Sequence, residues 1–339
     1  MKKLNLLIIF LSVCSYVVAQ QNSDLIKKRM MDSIKSVHID EAALKYPRIR
    51  QFSISHEEVG NSNISSKLYG QNFFKGPSSW SATTINLNIP IIERKKNIFV
   101  AGFGATQRHF RLGEVTNYNP DYNVSTGNWD LTTLSTSLSY IRRDSLFKRP
   151  ITYHLSVTGL FNPSFSRQRF IYTGLVSLTL FRNKNSSLMI GAAAIRDPSS
   201  PVPVFLVVSY FHKFRSLGVD LMIDLPSRIA LRKDLKGKAS ISAFSELGGN
   251  NYFLDMNTSN LPQKSIFTTL SLKSGVLFEY RLSKKAVLSL SGGFQSTLTS
   301  KLVGQGDKVS NYFIKNSNGM TPYAQVGFSL LPFWKGLNL

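Results

Sequence analysis

The sequence predicts an all-β protein, a transmembrane antiparallel up-and-down β-barrel of about fourteen strands, within a range of 12–16. Three observations predict it. Long stretches alternate apolar and polar residues one for one, the period of a strand with two unlike faces. The connections between them alternate between short basic turns and longer loops rich in Asn, Gly, Ser, Pro and Tyr. The first twenty residues have the layout of an export leader.

Composition narrows the function classes. The chain has 339 residues, a formal charge of +22 and a single cysteine, Cys14. One cysteine cannot build a disulfide framework or a Cys-based zinc site. After residue 19 no apolar run is long enough for a membrane-spanning helix. Abundant aromatic and β-branched residues argue against disorder. The positive charge first suggests nucleic acid or an anionic membrane.

Met1-Lys2-Lys3 is a positive start, Leu4 to Val13 is apolar, and Val17-Val18-Ala19 places small residues before a cut at Gln20. Residues 1–19 therefore read as a signal peptide. Its removal would leave no cysteine and take the chain out of the cytoplasm, away from nucleic acid. A lipoprotein reading would use Cys14, but Val13 before it is not small.

Residues 20–46 read as a periplasmic arm. Ile26, Met30, Ile34 and Val37 fall at helical spacing among Lys27, Lys28, Arg29 and Lys35. A short helix or mobile arm of this kind could plug a lumen, lie on a membrane surface, or be an unremarkable extension.

Residues 47–339 read as the barrel. Strand-like segments lie near 47–58, 79–92, 97–110, 129–141, 150–161, 168–181, 187–196, 203–212, 217–225, 228–234, 238–247, 266–281, 286–299 and 321–333. Ile151, Tyr153, Leu155 and Val157 alternate with Thr152, His154, Ser156 and Thr158; Leu270, Leu272, Val276, Phe278 and Tyr280 alternate with Thr269, Ser271, Lys273 and Glu279. Many segments exceed the usual five or six residues of soluble strands and suit a bilayer crossing. Glu93 to Lys96, Arg142 to Arg149, Arg182 to Asn185, Lys213 to Ser216, Lys236 to Lys238 and Ser283 to Lys285 form the short turns. Gly113 to Asn128, Gly248 to Ser265 and Leu302 to Gly319 form long loops. An even strand number puts both termini at the short-turn end. Tyr140, Phe161, Phe170, Phe181, Tyr210, Tyr280, Phe294 and Phe333 fall near strand ends, as interfacial girdles do. A soluble β-sandwich is the alternative, with shorter strands and the apolar face as its core.

One hairpin can be read to side-chain detail. A three-residue loop, Leu225-Pro226-Ser227, sets Asp224 opposite Arg228 and Asp220 opposite Arg232, and places Ile223 beside Ile229 on the other face. These four charges are candidate lumen ion pairs, either an ion-selecting constriction or a structural ladder filling the lumen.

Catalytic and metal patterns are otherwise missing. His38, His56, His109, His154 and His212 show no metal spacing, so no cofactor or metal is expected. His154 and Ser156 lie too far apart along one strand to activate a nucleophile. Glu57 and Glu58 point to opposite faces. Gly102-Phe103-Gly104 and Gly304-Gln305-Gly306 read as strand and loop glycines rather than phosphate loops. An outer-membrane lipid-modifying enzyme would need a His or Ser facing lipid near the outer rim, with a partner on the next strand.

These features together resemble a Bacteroidota-type outer-membrane β-barrel protein of uncharacterised function. The last strand, Pro322 to Phe333, with a glycine and a late aromatic, is similar to the segment read by the barrel assembly machinery. Pro332 and the residues from Trp334 to Leu339 depart from that pattern. The resemblance implies outer-membrane lipid as a partner but no catalytic residue and no substrate. The expected function is a narrow pore or structural barrel with a polar, basic lumen favouring small anions. The alternatives are a lipid-modifying enzyme and a barrel that anchors a secretion or surface complex.

Overall fold

The computed structural model describes residues 39–122, 124–197, 200, 202–235, 237–256 and 260–334. The predicted leader, Cys14, His38 and most of the arm lie outside these residues. The strands are β1 (Phe52–Leu68), β2 (Gln71–Arg94), β3 (Asn97–Leu112), β4 (Thr116–Asn117), β5 (Gly127–Leu146), β6 (Arg149–Phe161), β7 (Gln168–Arg182) and β8 (Ser186–Arg196). They continue as β9 (Val204–Phe214), β10 (Val219–Leu225), β11 (Arg228–Asp234), β12 (Ala239–Asp255), β13 (Lys264–Arg281), β14 (Ala286–Gly304), β15 (Tyr312–Asn318) and β16 (Thr321–Leu330).

Fourteen of these strands form one antiparallel ring. Neighbours in sequence are neighbours in space from β1 to β3 and from β5 to β14, and β16 closes the ring between β14 and β1. Closure leaves the ring without a free edge. Every segment expected from alternation is one of these ring strands. The additions are β4, a short partner of β2, and β15, which pairs with the far ends of β1 and β14.

Alternation sorts the side chains as the sequence predicts. Leu155, Leu206 and Leu290 on the outer face are 58%, 79% and 59% exposed, whereas Met222 and Ala230 on the inner face are each 1% exposed. The outer belt has a sharp upper limit on one side of the barrel. Ile54, Ile85, Ala105 and Leu134 form one cross-strand row over β1, β2, β3 and β5. The next outward row is His56, Thr83, Gln107 and Thr132, and the next is Glu58, Ser81, His109 and Asp130. Apolar outward side chains thus give way to polar ones within two residues.

Two expectations need correction. The first concerns the long-loop end, where Asn, Gly and Ser concealed folded structure. β1 and β2 run on past the belt to a tight turn at Tyr69-Gly70, both at positive φ, the geometry of a two-residue hairpin. The segment from Leu302 to Gly319 is not a loop throughout, because β15 lies within it. Leu68, Phe73, Leu261, Leu302, Phe313 and Ile314 bury one another there, and Tyr122, Val124 and Met256 from two loops pack against them. This is a small hydrophobic core above the ring.

The second correction is the start of the first strand. It was expected at residue 47 and begins at Phe52. Pro47 lacks an N–H and opens a single 3-10 turn, Pro47–Ile49, so the chain cannot join the ladder there. Residues 39–45 are helical; the stretch enters at the short-turn end and from Ala43 to Arg50 contacts the inner face of the barrel.

Candidate functional site

The site is the lumen and the segment that fills part of it. Residues 39–51 are held by ionic contacts to side chains on the inner face. At the short-turn end, the Lys285 ammonium donates to both Asp40 oxygens at 2.8 and 2.7 Å and to the Pro332 carbonyl at 2.7 Å. Ala43, fully buried, packs against Val287 and Leu331. Higher in the lumen, Lys45 pairs with Asp220 at 2.7 Å and lies 4.3 Å from the Phe211 ring centre. Arg48 reaches Glu246 at 2.6 Å.

Arg50 is the central contact. It donates to Glu279 at 2.6 Å, to Ser329 Oγ at 3.0 Å and to the Ala43 carbonyl at 3.0 Å. Glu279 is shared, because Arg232 donates to its other oxygen at 3.0 Å and also bonds the Leu44 carbonyl. Two guanidiniums around one buried carboxylate form a network in which each charge has a partner, the condition under which burial is tolerated. Tyr46 lies beside Asp220, Asp224 and Arg228. Burial, reinforced by Asp224, pushes its hydroxyl up to about 12, so it is a neutral phenol at physiological pH.

The four charges singled out from the sequence all belong to this region. The register is Asp224 opposite Arg228, Met222 opposite Ala230 and Asp220 opposite Arg232, with Ile223 beside Ile229. Their contacts run to other residues than those expected. Asp220 holds Lys45. Asp224 accepts from Ser209 at 2.6 Å. Arg228 approaches Glu246 at 4.0 Å and donates to the Lys45 carbonyl at 3.5 Å. Arg232 binds Glu279, the Leu44 carbonyl and Asp234. For Asp220, Arg228 and Arg232 the reason is geometric, because the incoming segment offers a cation and carbonyls within reach; Asp224 instead bonds Ser209 on the neighbouring strand β9.

Lys45, Arg50, Glu246 and Glu279 were not singled out. The signal that could have found Glu246 and Glu279 is their parity. Both occupy inward positions of otherwise regular strands, where a carboxylate needs a cation from somewhere in the lumen.

Beyond the plug lies a cavity of about 330 Å³. Its lining includes Arg50, Arg108, Arg228 and Lys273 with Glu57, Glu246 and Glu279. Glu57 points inward and receives Lys273 at 2.5 Å, while Glu58 points out and is exposed, so the pair does face opposite ways. The far side of the lumen is bridged. Thr133 on β5 donates to the Asn251 carbonyl on β12 at 2.9 Å, although these strands are not neighbours in the ring. Arg167, before β7, reaches Asp255 at 2.7 Å, Gln305 at 2.9 Å and the Ser265 carbonyl at 2.5 Å. The lumen is therefore obstructed by the plug below and narrowed by β12 above.

On the outer face the row Glu58–Ser81–His109–Asp130 contains an ordered contact. His109 Nδ1 lies 2.8 Å from Asp130 Oδ1 on the next strand, and Ser81 stands opposite His109 on the other side. No group of three or more potential metal ligands is found among the described residues.

No protein-family model and no curated protein matches the chain. Solved structures with a similar chain course include three from outer-membrane proteins. One is an outer membrane channel from Pseudomonas putida F1, at 9% identity over 83% of this chain and 96% of that one, with a TM-score of 0.33. The transport unit of the autotransporter AIDA-I from Escherichia coli is 9% identical over 85% and 92%, with a TM-score of 0.33. The Pseudomonas putida toluene transporter TodX is 10% identical over 82% and 88%, with a TM-score of 0.31. The fold rests on the hydrogen-bonded ring itself, and likenesses at this level carry no argument about activity.

Proposed function

We propose that this protein is an outer-membrane barrel whose lumen is a gated, narrow pore for small polar solutes, favouring anions, held closed by residues 39–51. The supporting observation is the plug. Its cations and carbonyls meet inner-face charges on β10, β11, β12 and β13, so the lumen charges serve closure. The apolar outer face supports the membrane reading, since such an area in water would be an aggregation liability. The short-turn end, where the plug enters, then faces the periplasm. Outer-membrane lipid surrounds the belt, and β16 is the strand offered to the barrel assembly machinery.

The test is conductance. The full chain in a planar bilayer is expected to be nearly silent. A variant lacking residues 20–50 is expected to conduct with anion preference. A plug-free variant that folds, shown by heat-modifiable gel migration, yet does not conduct would remove the pore.

A second reading is favoured by one observation. His109 with Asp130 on the next strand, and Ser81 opposite, is the outward constellation that a lipid-modifying enzyme at the outer rim requires. Asp130 would hold the Nδ1 proton and leave Nε2 toward Ser81, the orientation of a serine triad. If it works so, a fluorophosphonate probe labels Ser81 in the folded protein, and H109A abolishes the labelling. Labelling that is absent, or indifferent to His109, restores the row to an ordinary wetted sheet face.

A further inference from the structure

Arg108 is the charged group that the plug does not explain. It projects from the inner face of β3, is 5% exposed and lines the cavity. Its guanidinium lies between two rings, 3.9 Å from the Trp80 centre and 4.8 Å from that of Tyr252. Among the described residues it makes neither an ion pair nor a hydrogen bond, and its buried Nε has no acceptor. Ring faces offset part of the cost of burying a cation, but they supply no acceptor for its N–H groups.

The surrounding polar atoms are orphaned in a complementary way. Arg228 Nε, 4.0 Å from Glu246, and the Tyr252 hydroxyl have no hydrogen-bond partner among the described residues, and neither do the acceptors Glu57 Oε1 and Gln295 Oε1. All four residues line the same cavity. Buried polar groups are ordinarily satisfied, so a cluster of exceptions around one cavity marks a place where water or a polar solute can bind.

We infer that the cavity is a binding site for a small monocarboxylate that also carries an N–H or O–H donor, an amino acid or hydroxy acid, with its carboxylate on Arg108. The donors around Arg108 take the anion. Glu57 and Gln295 take the donor of the ligand. Four lining cations face three lining carboxylates, which leaves room for one negative charge but opposes a dianion such as phosphate. The volume admits a small solute with water beside it. The inference deepens the pore reading by naming the solute class, and it rests on the lumen being reachable.

Trp80 supplies the readout. The chain has three tryptophans, so replacing Trp129 and Trp334 by Phe leaves Trp80 alone against Arg108. Lactate, alanine, acetate and inorganic phosphate are titrated into this protein, with and without residues 20–50, following Trp80 fluorescence. Lactate and alanine are expected to give saturable changes. Acetate, which lacks the second donor, and phosphate are expected to bind about tenfold more weakly or worse, one unmet charged hydrogen bond or more. R108Q should abolish saturation and R108K should retain part of it. Y252F, which deletes only a hydroxyl, should weaken binding several-fold and guards against misfolding of the arginine variants.

Phosphate binding as tightly as lactate overturns the inference. So does binding that R108Q leaves unchanged, or no saturation in either protein. If the plug-free protein fails to conduct but Trp80 still saturates, the site stands and the pore falls. If it conducts and neither it nor the full chain saturates, the reverse holds.

Discussion

Glu279→Gln is expected to release the plug. Arg50 and Arg232 both lie on this carboxylate, at 2.6 and 3.0 Å, and it is nearly inaccessible to solvent. The substitution keeps the shape and removes the charge. Two guanidiniums would then face each other with no anion between them. Breaking a buried pair from one side costs about 3–5 kcal/mol, mostly from the stranded charge. At about 1.4 kcal/mol per decade, that is roughly two to three and a half orders of magnitude in the undocked population. Arg50 can leave with the plug, whereas Arg232 is fixed in β11, so relief comes by undocking rather than by unfolding of the ring. Frequent channel openings and protease cleavage near Lys45 should appear together. Arg50→Gln in the same background should recover part of the loss, because contacting charges do not add independently. A Glu279→Gln protein that stays silent and protease-resistant would show that apolar packing of Ala43 against Val287 and Leu331 is enough to hold the plug.

Leu155→Arg should cost about 2–4 kcal/mol of barrel stability in a lipid bilayer, the penalty of a charge at the midplane of an outer-membrane barrel. Leu155 sits at the middle of β6, opposite Tyr140 and Gly174, and more than half of its surface is exposed. The same substitution on a face that meets water would change stability by no more than about 0.5 kcal/mol. Urea unfolding of the protein refolded into vesicles, followed by the heat-modifiable gel band, separates the two. A change near zero would mean that the outer face is not in hydrocarbon and would remove the membrane reading of the ring.

The two experiments divide along what was legible in the residues. Leu155 was assigned to the apolar face by parity, since strand side chains alternate with a period of 2 and need no long-range information. The Asp220–Arg232 register followed from the same rule plus a loop length. Arg50–Glu279 was not legible, because its partners stand 229 residues apart. The row Ser81–His109–Asp130 was equally hidden. Its members come from three strands, and only the mutual registers of β2, β3 and β5 place them side by side. The core above the ring was concealed differently. Leu68, Phe73, Phe313 and Ile314 sit among Asn, Gly and Ser, where single apolar residues carry no period to read.

What the sequence by itself determined is the wall: fourteen ring strands, their order, their outward and inward faces, and short turns at one end. Each follows from local alternation and turn spacing. What only the tertiary structure decided is the content of the lumen. Whether the inner charges face water, one another or a returning segment depends on where residues 39–51 go. Buried charges settle where their desolvation is best compensated, and that optimum is a property of the closed ring rather than of any one strand.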